Sequence, residues 1–232
     1  MSIFVISDLH LSLGTDKPMD VFGPGWEDYV TRIETGWKTH VSPSDTVVIG
    51  GDVSWAINEQ QLLPDLRFLD QLPGRKILLQ GNHDYWWQTV SRMQRFLERE
   101  GLSFEFLYNN ALECEGVALC GAKGYLSDKE EDAAQNEKLH RRALLRLEYS
   151  LAQAERQYPG LEKLVFLHYP PVLTTFENEG MLDCMLRYGV KRCYYGHLHA
   201  AGHAARIEGE YKGIHFTLTA ADFVDFTPVF IK

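Results

Sequence analysis

Side chains that bind divalent metal ions follow several short apolar segments, at the point where each segment ends. In chain order they are Asp8, His10, Asp52, Asn82, His83, His168, His197 and His199. A buried imidazole or carboxylate is costly unless it is paired or bound to a metal. Five of the nine histidines belong to this set, which packing alone does not explain. The pattern therefore predicts a metal centre, since an ion would supply the missing partner.

Two pairs of these residues are separated by a single position. Asp8 and His10 project from the same side of an extended chain, and so do His197 and His199. The segment Gly81-Asn82-His83-Asp84 is less specific. Gly, Asn and Asp are ordinary turn residues, and Asp can cap a helix. Taken alone, this segment indicates a capped turn as readily as a reactive site, and Asp84 can serve both purposes.

The apolar segments themselves read as buried strands. They are short, rich in β-branched residues and continuous, and they cover residues 3–6, 46–49, 76–80, 164–167 and 192–195. Segments with helical spacing of apolar residues separate the first three of them. This alternation predicts right-handed βαβ units and a largely parallel first sheet. In such sheets, sites form beyond the carboxyl ends of the strands, where the candidate ligands lie.

The middle and the end of the chain have a different pattern. Short strands are predicted at 104–108, 112–114 and 117–121, joined by tight turns. An acidic run at 128–132 is expected to start a long, solvated helix that ends before Pro159, and its basic residues Arg141, Arg142 and Arg146 are expected on the surface. A hairpin around 203–207 and 214–219 and a last strand near 228–231 complete the prediction.

Composition limits the class of protein and its surroundings. The chain has 232 residues, 45% of them hydrophobic, and shows no repeat or linker, so we predict one domain spanning residues 1–232. A net charge of -9 makes duplex nucleic acid a poor partner. There is no span-length apolar run, basic leader or paired-cysteine motif. We therefore expect no membrane association and a reducing, cytoplasmic location. The oligomeric state is left open.

The ordered set of motifs resembles the calcineurin-like metallophosphoesterase superfamily, including bacterial members described only as predicted phosphohydrolases. The matching pieces are Asp8-Leu9-His10, Gly51-Asp52, Gly81-Asn82-His83-Asp84, His168 and Gly196-His197-Leu198-His199. Each piece is weak alone, but five in this order are specific. The resemblance implies an α/β fold (α+β in some schemes), a four-layer αββα sandwich of two mixed β-sheets flanked by helices.

The resemblance also implies a role for each residue. Asp8, His10 and His199 would hold one divalent ion, and Asn82, His168 and His197 a second, with Asp52 bridging both. Manganese is expected first, and Fe, Zn, Ni or Co are alternatives. A hydroxide shared by the two ions would attack phosphorus in line. His83 would assist the leaving group, while Asp84 would orient His83 and favour its charged form.

The expected function is therefore a dimetal phosphoester hydrolase, with phosphodiesters of small molecules preferred over monoesters. This preference rests on an intact His83 and on the absence of an evident cationic clamp, for which Lys123 and Arg141 are the only candidates. Phosphomonoesterase or protein phosphatase activity is an alternative, and a non-catalytic metal-binding scaffold is another. Elemental analysis would distinguish the scaffold from the two hydrolases, because a chain that cannot be loaded with metal favours the scaffold function.

Aromatic residues crowd the segments around these motifs. They are Trp55, Tyr85, Trp86, Trp87, Tyr125 and Tyr169. Core packing is the simpler interpretation for Trp86 and Trp87, and a stacking surface for a nucleobase or an aryl leaving group is the alternative. Val53-Ser54-Trp55 stands where many members of the superfamily carry a further acidic residue, which affects the shape of that loop rather than the chemistry.

Overall fold

The first sheet collects the amino-terminal strands and one strand from the carboxyl terminus. The computed structural model describes residues 1–17, 19–127 and 132–232. Numbered along the chain, the strands of this sheet are Ile3–Ile6 (β1), Thr46–Ile49 (β2), Arg75–Leu78 (β3), Phe104–Phe106 (β4) and Val229–Phe230 (β13). They lie in the order β13-β1-β2-β3-β4. β1 to β4 run parallel, as the βαβ pattern predicts, and β13 pairs with β1 in the antiparallel sense.

The second sheet has six strands, in the spatial order β11-β12-β10-β7-β6-β5. These are Ala111–Cys114 (β5), Val117–Ala122 (β6), Glu162–Leu167 (β7), Arg192–Tyr195 (β10), Gly209–Tyr211 (β11) and Ile214–Leu218 (β12). The four central strands β6, β7, β10 and β12 are parallel, and each edge strand is antiparallel to its neighbour. Val172–Leu173 (β8) and Phe176–Glu177 (β9) form a separate small hairpin.

In the described part of the chain, five α-helices flank the two sheets. They are Tyr29–His40 (α1), Glu59–Gln71 (α2), Val90–Glu100 (α3), Ala133–Gln157 (α4) and Glu179–Arg187 (α5), with short 3-10 helices at Met19–Phe22, Pro24–Trp26 and Ala200–Ala205. Side-chain caps fix the starts of three α-helices. Asn58, Asp132 and Asn178 each accept a hydrogen bond from the backbone N–H three residues later. None of the described helices is both long and apolar enough to cross a membrane.

Three apolar layers hold these elements together. Val48 and Leu119 belong to the layer between the sheets, where the inner faces of both sheets meet. The outer face of the first sheet packs against α1, α2 and α3, with Trp37 completely buried there. The outer face of the second sheet packs against α4 and α5. The result is the expected αββα sandwich of two mixed sheets, and the fold class is confirmed.

Two local predictions need correction, and one lies partly outside the described residues. β4 is an edge strand of the first sheet, whereas β5 and β6 form a hairpin in the second, so the three predicted middle strands do not form one unit. The carboxyl-terminal hairpin is formed by β11 and β12, because Ala200–Ala205 is a 3-10 helix rather than a strand. Of the predicted acidic run, residues 128–131 are not among the described ones, and Asp132 is the cap of α4.

Candidate metal centre

The carboxyl ends of the two sheets meet at one place. Just beyond β1, the backbone N–H of Ser7 donates to the carbonyl of Thr219, which follows β12, at 2.8 Å. The hydroxyl groups of the same two residues lie 2.7 Å apart and are buried. This connection holds the end of β1 next to the ends of β10 and β12. The loops that follow strands of both sheets therefore converge on a common centre, which is the condition for the predicted ligands to meet.

One group of predicted ligands contains Asp8, His10 and His199. The Nε2 atoms of His10 and His199 lie 3.2 Å apart, and His199 Nε2 lies 3.4 Å from Asp8 Oδ1. Asp8 is fully buried and His10 is 3% exposed. One ligand atom from each residue can therefore be offered to a single ion, since these atoms all lie within 4.8 Å of one another. The residues lie in the loops that follow β1 and β10, hence after strands of both sheets.

A second group contains Asn82, His168 and His197. His168 Nε2 lies 2.7 Å from Asn82 Oδ1, and His197 Nδ1 lies 2.9 Å from the same oxygen. Donor atoms on a common six-coordinate ion with bonds of about 2.1 Å are separated by about 3 Å. Each of the two imidazole nitrogens therefore lies from the amide oxygen at the spacing of two ligands on one ion.

Asp52 lies between the two groups. Its Oδ2 atom is 3.7 Å from His10 Nε2 and 3.5 Å from His168 Nε2. Its other oxygen accepts a hydrogen bond from the backbone N–H of His83 at 2.8 Å, which fixes the orientation of the carboxylate. The structure therefore brings all seven predicted ligands into one cluster, with a single carboxylate oxygen facing both groups.

The charges of the cluster fit a cation. Asp8 and Asp52 are both buried, and no lysine or arginine among the described residues forms an ion pair with either of them. Burial, followed by the proximity of Asp84 and Asp8, raises the pKa of Asp52 well above its usual range. The protonated His199 ring offsets part of this charge, since its Nε2 atom lies 3.4 Å from Asp8 Oδ1, but two buried carboxylates need more positive charge than one imidazolium supplies. A divalent ion would supply the charge that the chain lacks at this place.

Three histidines of the cluster are in the protonation state that metal binding needs. Burial lowers the pKa of His10 and His168 well below the usual value, and it lowers the pKa of His197 to about 3. These imidazoles are neutral at pH 7, so each keeps a nitrogen lone pair. His10 Nδ1 is also buried without a hydrogen-bond partner among the described residues. Neutral imidazoles are the form that coordinates divalent ions.

Outer contacts hold two of the imidazoles in place. The Nδ1 atom of His168 lies 3.2 Å from the Gly50 carbonyl, and the Nδ1 atom of His199 lies 2.9 Å from Asp222 Oδ1. Such partners fix the ring that offers its other nitrogen to a metal. Burial acts to lower the pKa of His199, but hydrogen bonds to Asp222 and Asp8 outweigh it and raise the pKa to about 10.

Asp222 is a site residue that the sequence interpretation missed. It follows β12, the neighbour of β10 in the second sheet, and it also accepts a hydrogen bond from the backbone N–H of Ala200 at 3.0 Å. One signal could have indicated it, because an acidic residue stands a few positions beyond a predicted strand that ends at residue 219. The other predicted ligands follow strands in the same way.

Asp84 does not have the contact that the resemblance implies. Its carboxylate accepts hydrogen bonds from the backbone N–H groups of Asp52, Val53 and Gly81 at 2.7–2.9 Å. It also accepts from the N–H of Ser54 at 3.3 Å and from the indole N–H of Trp86 at 3.0 Å. Among the described residues, no hydrogen bond joins Asp84 to the His83 ring. Asp84 therefore fixes the backbone that carries Asp52 and Asn82, rather than orienting His83 directly.

His83 lies at the border of the cluster. Its ring centroid is 5.6 Å from that of His10 and 4.4 Å from that of Trp55, and its Nδ1 is 3.4 Å from the Tyr85 hydroxyl. Burial and the nearby Lys17 ammonium lower its pKa, so the expectation that Asp84 keeps it charged is not met in this state of the protein. The imidazole is nevertheless placed beside the ligands without being needed as one.

A cavity of about 460 Å³ opens next to His83. Its lining includes His10, Lys17, Trp26, Trp55, His83 and Tyr85. The His10 and Trp55 rings are stacked at 4.8 Å, and Lys17 Nζ lies 3.2 Å from the centre of the Trp55 ring. Trp86, by contrast, is buried in the core, and Trp87 packs on Phe106. The predicted aromatic residues therefore divide into core residues and cavity residues.

The loops that carry the ligands have an unusual backbone. Asp8, His10, Asp52 and His197 have φ angles of 60°, 47°, 50° and 74°, in the left-handed region that residues other than Gly rarely adopt. Gly51, with φ 97°, leaves room for the ring behind it, because a Cβ atom there would lie 2.7 Å from His168 Nδ1. Strained residues of this kind are found where function requires a particular geometry.

Fold and cluster together define an αββα protein with a candidate centre for two metal ions at the joined ends of its sheets. The chain belongs to the Calcineurin-like phosphoesterase family, whose sequence profile matches residues 1–201. It is a metallophosphoesterase by family, and the candidate ligands agree with this class.

Solved structures support the fold. A protein of unknown function from Aquifex aeolicus aligns over 99% of this chain and 95% of its own, with 16% identity and a TM-score of 0.51. A protein from Thermus thermophilus aligns over 88% of this chain and 85% of its own, with 11% identity and a TM-score of 0.52. At such identities the likeness concerns the fold alone. No curated protein matches the chain in sequence.

Proposed function

We propose that this protein hydrolyses phosphodiester bonds of small molecules at a centre of two divalent cations. Asp8, His10 and His199 would hold one cation, and Asn82, His168 and His197 the other. The observation that carries the proposal is the position of Asp52, whose Oδ2 atom faces a neutral imidazole of each group at 3.5–3.7 Å. Manganese is the first choice of metal, and iron, zinc, nickel and cobalt suit the same nitrogen and oxygen ligands.

Bound cations would polarise the phosphoryl group and increase the acidity of water at the centre. The chain contributes the remaining parts of the reaction. Asp52 and Asn82 are held by a backbone that Asp84 fixes, so the ligands need not rearrange when substrate arrives. Trp26 and Trp55 cover one side of the centre and limit the access of solvent to the His10 ring.

His83 would donate a proton or a hydrogen bond to the oxygen of the leaving alcohol. Its ring lines the cavity and is a neighbour of His10, a position that suits an acid between the reacting phosphorus and the cavity. Burial lowers its pKa in the absence of substrate. A bound phosphoryl anion acts in the opposite direction and favours the imidazolium form, so protonation would accompany substrate binding.

The cavity beside His83 supports a diester with an organic leaving group. Its volume of about 460 Å³ and its tryptophan rings suit an aromatic or apolar substituent. Lys17 stands over the Trp55 ring, where its ammonium can contact a phosphoryl oxygen or the substituent.

We further propose a cytoplasmic location, because the four cysteines are buried, free thiols, as expected in a reducing compartment.

The test compares two chromogenic substrates. Manganese-loaded protein is expected to hydrolyse bis(4-nitrophenyl) phosphate faster than 4-nitrophenyl phosphate at the same pH. Asp52→Asn should abolish both activities, while Asp225→Asn, at an exposed position outside the centre, should retain them. A faster reaction with the monoester would refute the diester preference. Hydrolysis of neither ester would refute the proposed activity, and a protein that in addition cannot be loaded with metal would favour the scaffold function.

A further inference from the structure

A second cavity lies beside His168 and His197, whereas the aromatic cavity lies beside His10, His83 and His199. Its volume is about 300 Å³. The residues that matter for its chemistry are Lys123, Gly124, Tyr125, Arg142, Arg146 and Tyr169. Lys123 follows β6, and the two arginines are on α4, four positions apart and therefore on the same face of the helix. The end of β6 and the helix α4 thus place three cationic side chains at one cavity.

Among the described residues, the three cations form no ion pair with a carboxylate. In the part of the chain that the structure describes, none of the ion pairs involves Lys123, Arg142 or Arg146. Lys123 is half-buried, and burial lowers its pKa. The Arg146 guanidinium lies over the Tyr108 ring, 5.8 Å from its centre. Arg146 lies near enough to Lys123 to lower its pKa further, whereas Asp52 and Asp84 act in the opposite direction from the metal centre. Like charges gathered at one cavity repel one another, so the cavity favours an anion.

The cavity is connected to the metal centre through the backbone. The carbonyl of Lys123 accepts hydrogen bonds from the N–H groups of His168, at 3.2 Å, and Tyr169, at 2.9 Å. The Tyr169 ring lies 4.4 Å from the His197 ring and also lines the cavity. Tyr169 therefore forms the border between the ligands and the cations. A substrate group that reaches the three cations would extend past the Tyr169 ring, away from the phosphorus that would react at the metal centre.

We propose that this cavity binds a second anionic group, a phosphate or a carboxylate, of the same substrate. The proposal rests on the proposed function and specifies its substrate class: phosphodiesters whose retained substituent carries a negative charge. The leaving group would occupy the aromatic cavity beside His83, and the charged substituent would lie against Lys123, Arg142 and Arg146. The sequence interpretation placed these arginines on the surface, and Arg142 is indeed exposed while Arg146 is half-buried. It named Arg141 as a candidate clamp, but Arg141 does not line the cavity.

The experiment uses three 4-nitrophenyl phosphodiesters that share one leaving group. The other substituent is ethyl, 2-carboxyethyl or choline, and is therefore neutral, anionic or cationic. Manganese-loaded protein is expected to show a KM about tenfold lower for the carboxyethyl ester than for the ethyl ester, since charged hydrogen bonds contribute at least this much. The choline ester should have the highest KM of the three.

Variants of α4 assign the preference to the cavity. The double variant Arg142→Ala, Arg146→Ala should reduce the KM ratio between the ethyl and carboxyethyl esters to about one. Arg141→Ala, which removes an arginine from the adjacent position of the same helix, should leave the ratio as in the unaltered protein. Equal KM values for the three esters in the unaltered protein would overturn the proposal, and so would a preference that survives in the double variant.

Failure of the proposed function has a different signature. If none of the esters is hydrolysed, the diesterase activity is refuted, and the same compounds become simple ligands. Titration calorimetry of the metal-loaded protein then measures their Kd values directly. The anion cavity predicts the same order of affinity, carboxyethyl before ethyl before choline, and the same loss of preference in the double variant. Equal Kd values would overturn the cavity proposal independently of catalysis.

Discussion

The candidate ligands of the centre differ in the protonation state in which they would meet a metal. His10, His168 and His197 are neutral because burial lowers their pKa, so they can bind an ion without losing a proton. His199 is the exception, since Asp222 and Asp8 keep it protonated at neutral pH. His83 has a different position altogether, with its ring between the ligands and the aromatic cavity. These differences lead to three predictions for single residues.

Replacement of His83 should affect turnover and not metal content. In His83→Ala, kcat for bis(4-nitrophenyl) phosphate is expected to fall about a hundredfold or more, the usual contribution of a positioned acid. Metal content by elemental analysis should stay at the level of the unaltered protein. His40→Ala, which removes a histidine from the end of α1, is the control. An unchanged kcat in His83→Ala would contradict the role in leaving-group departure.

Replacement of Asp222 should weaken metal binding. Asp222→Asn removes the carboxylate that holds His199 Nδ1 at 2.9 Å, and loss of such a partner lowers metal affinity about 10- to 100-fold. Competitive titration with a chromogenic chelator measures this affinity. Asp225→Asn provides a matched control on the same segment, at an exposed residue paired with Arg32. An affinity equal in the two variants would show that Asp222 does not support the ligand.

Metal binding should release a proton from His199. Its pKa of about 10 lies above its unfolded value, so the ring is charged at pH 7 and must lose its proton to coordinate a metal. Apparent metal affinity should therefore rise with pH, by up to about tenfold per unit below the raised pKa. Calorimetry in buffers of different ionisation enthalpy counts the proton. Buffer-independent heats, or an equal proton count in Asp222→Asn, would contradict this assignment.

At the level of elements, the loops after β2 and β3 act as one unit, because a single carboxylate binds both. The positions of strands and ligands were predictable, since continuous apolar segments with polar ends are a local pattern of the sequence. The role of Asp84 was not, because its partners are backbone N–H groups of a loop about thirty positions away, and such groups have no sequence signature. Likewise, Arg142 and Arg146 line a cavity because α4 packs beside β6, and the sequence does not show this tertiary contact.

Removal of the Asp84 carboxylate should destabilise the whole protein. Asp84→Ala leaves several buried backbone donors unpaired, each at a cost of about 1–3 kcal/mol, so the free energy of unfolding is expected to fall by about 3 kcal/mol or more. Urea unfolding of the metal-free protein measures it. Asp183→Ala, on the exposed face of α5, should change it by less than about 0.5 kcal/mol. A similar, small effect in both variants would contradict the connecting role of Asp84.

For the whole molecule, the centre joins the two sheets at their carboxyl ends, since its ligands follow β1, β2 and β3 on one side and β7 and β10 on the other. The fold was predictable at this level because the order of motifs and the alternation of strands and helices are sufficient for the family. The sheets to which β4 and β11 belong were not predictable. The place of a short edge strand is set by the strand that packs beside it in the folded protein, which the sequence does not show.

Metal ions should therefore stabilise the entire fold. At a concentration about one hundred times Kd, each bound ion adds about 2.7 kcal/mol, which corresponds to a rise in Tm of about 5–10 °C for a chain of this size. Differential scanning calorimetry with manganese and with chelator measures the shift. Asp52→Asn should lose most of this rise while having a higher Tm than the unaltered protein in chelator, because a buried carboxylate is removed. A lower Tm in chelator would contradict that reasoning.

The left-handed backbone at Asp8 and Asp52 has a consequence for how such a chain changes over generations. Asn tolerates this backbone better than most residues and carries no charge. One nucleotide change converts an Asp codon into an Asn codon. In the absence of metal, Asn at these two positions would remove a buried charge, while its amide oxygen could still accept the hydrogen bonds from the backbone N–H groups of His197 and His83. A lineage that no longer used its metals would lose these carboxylates early, yet this chain retains both of them together with the five other candidate ligands.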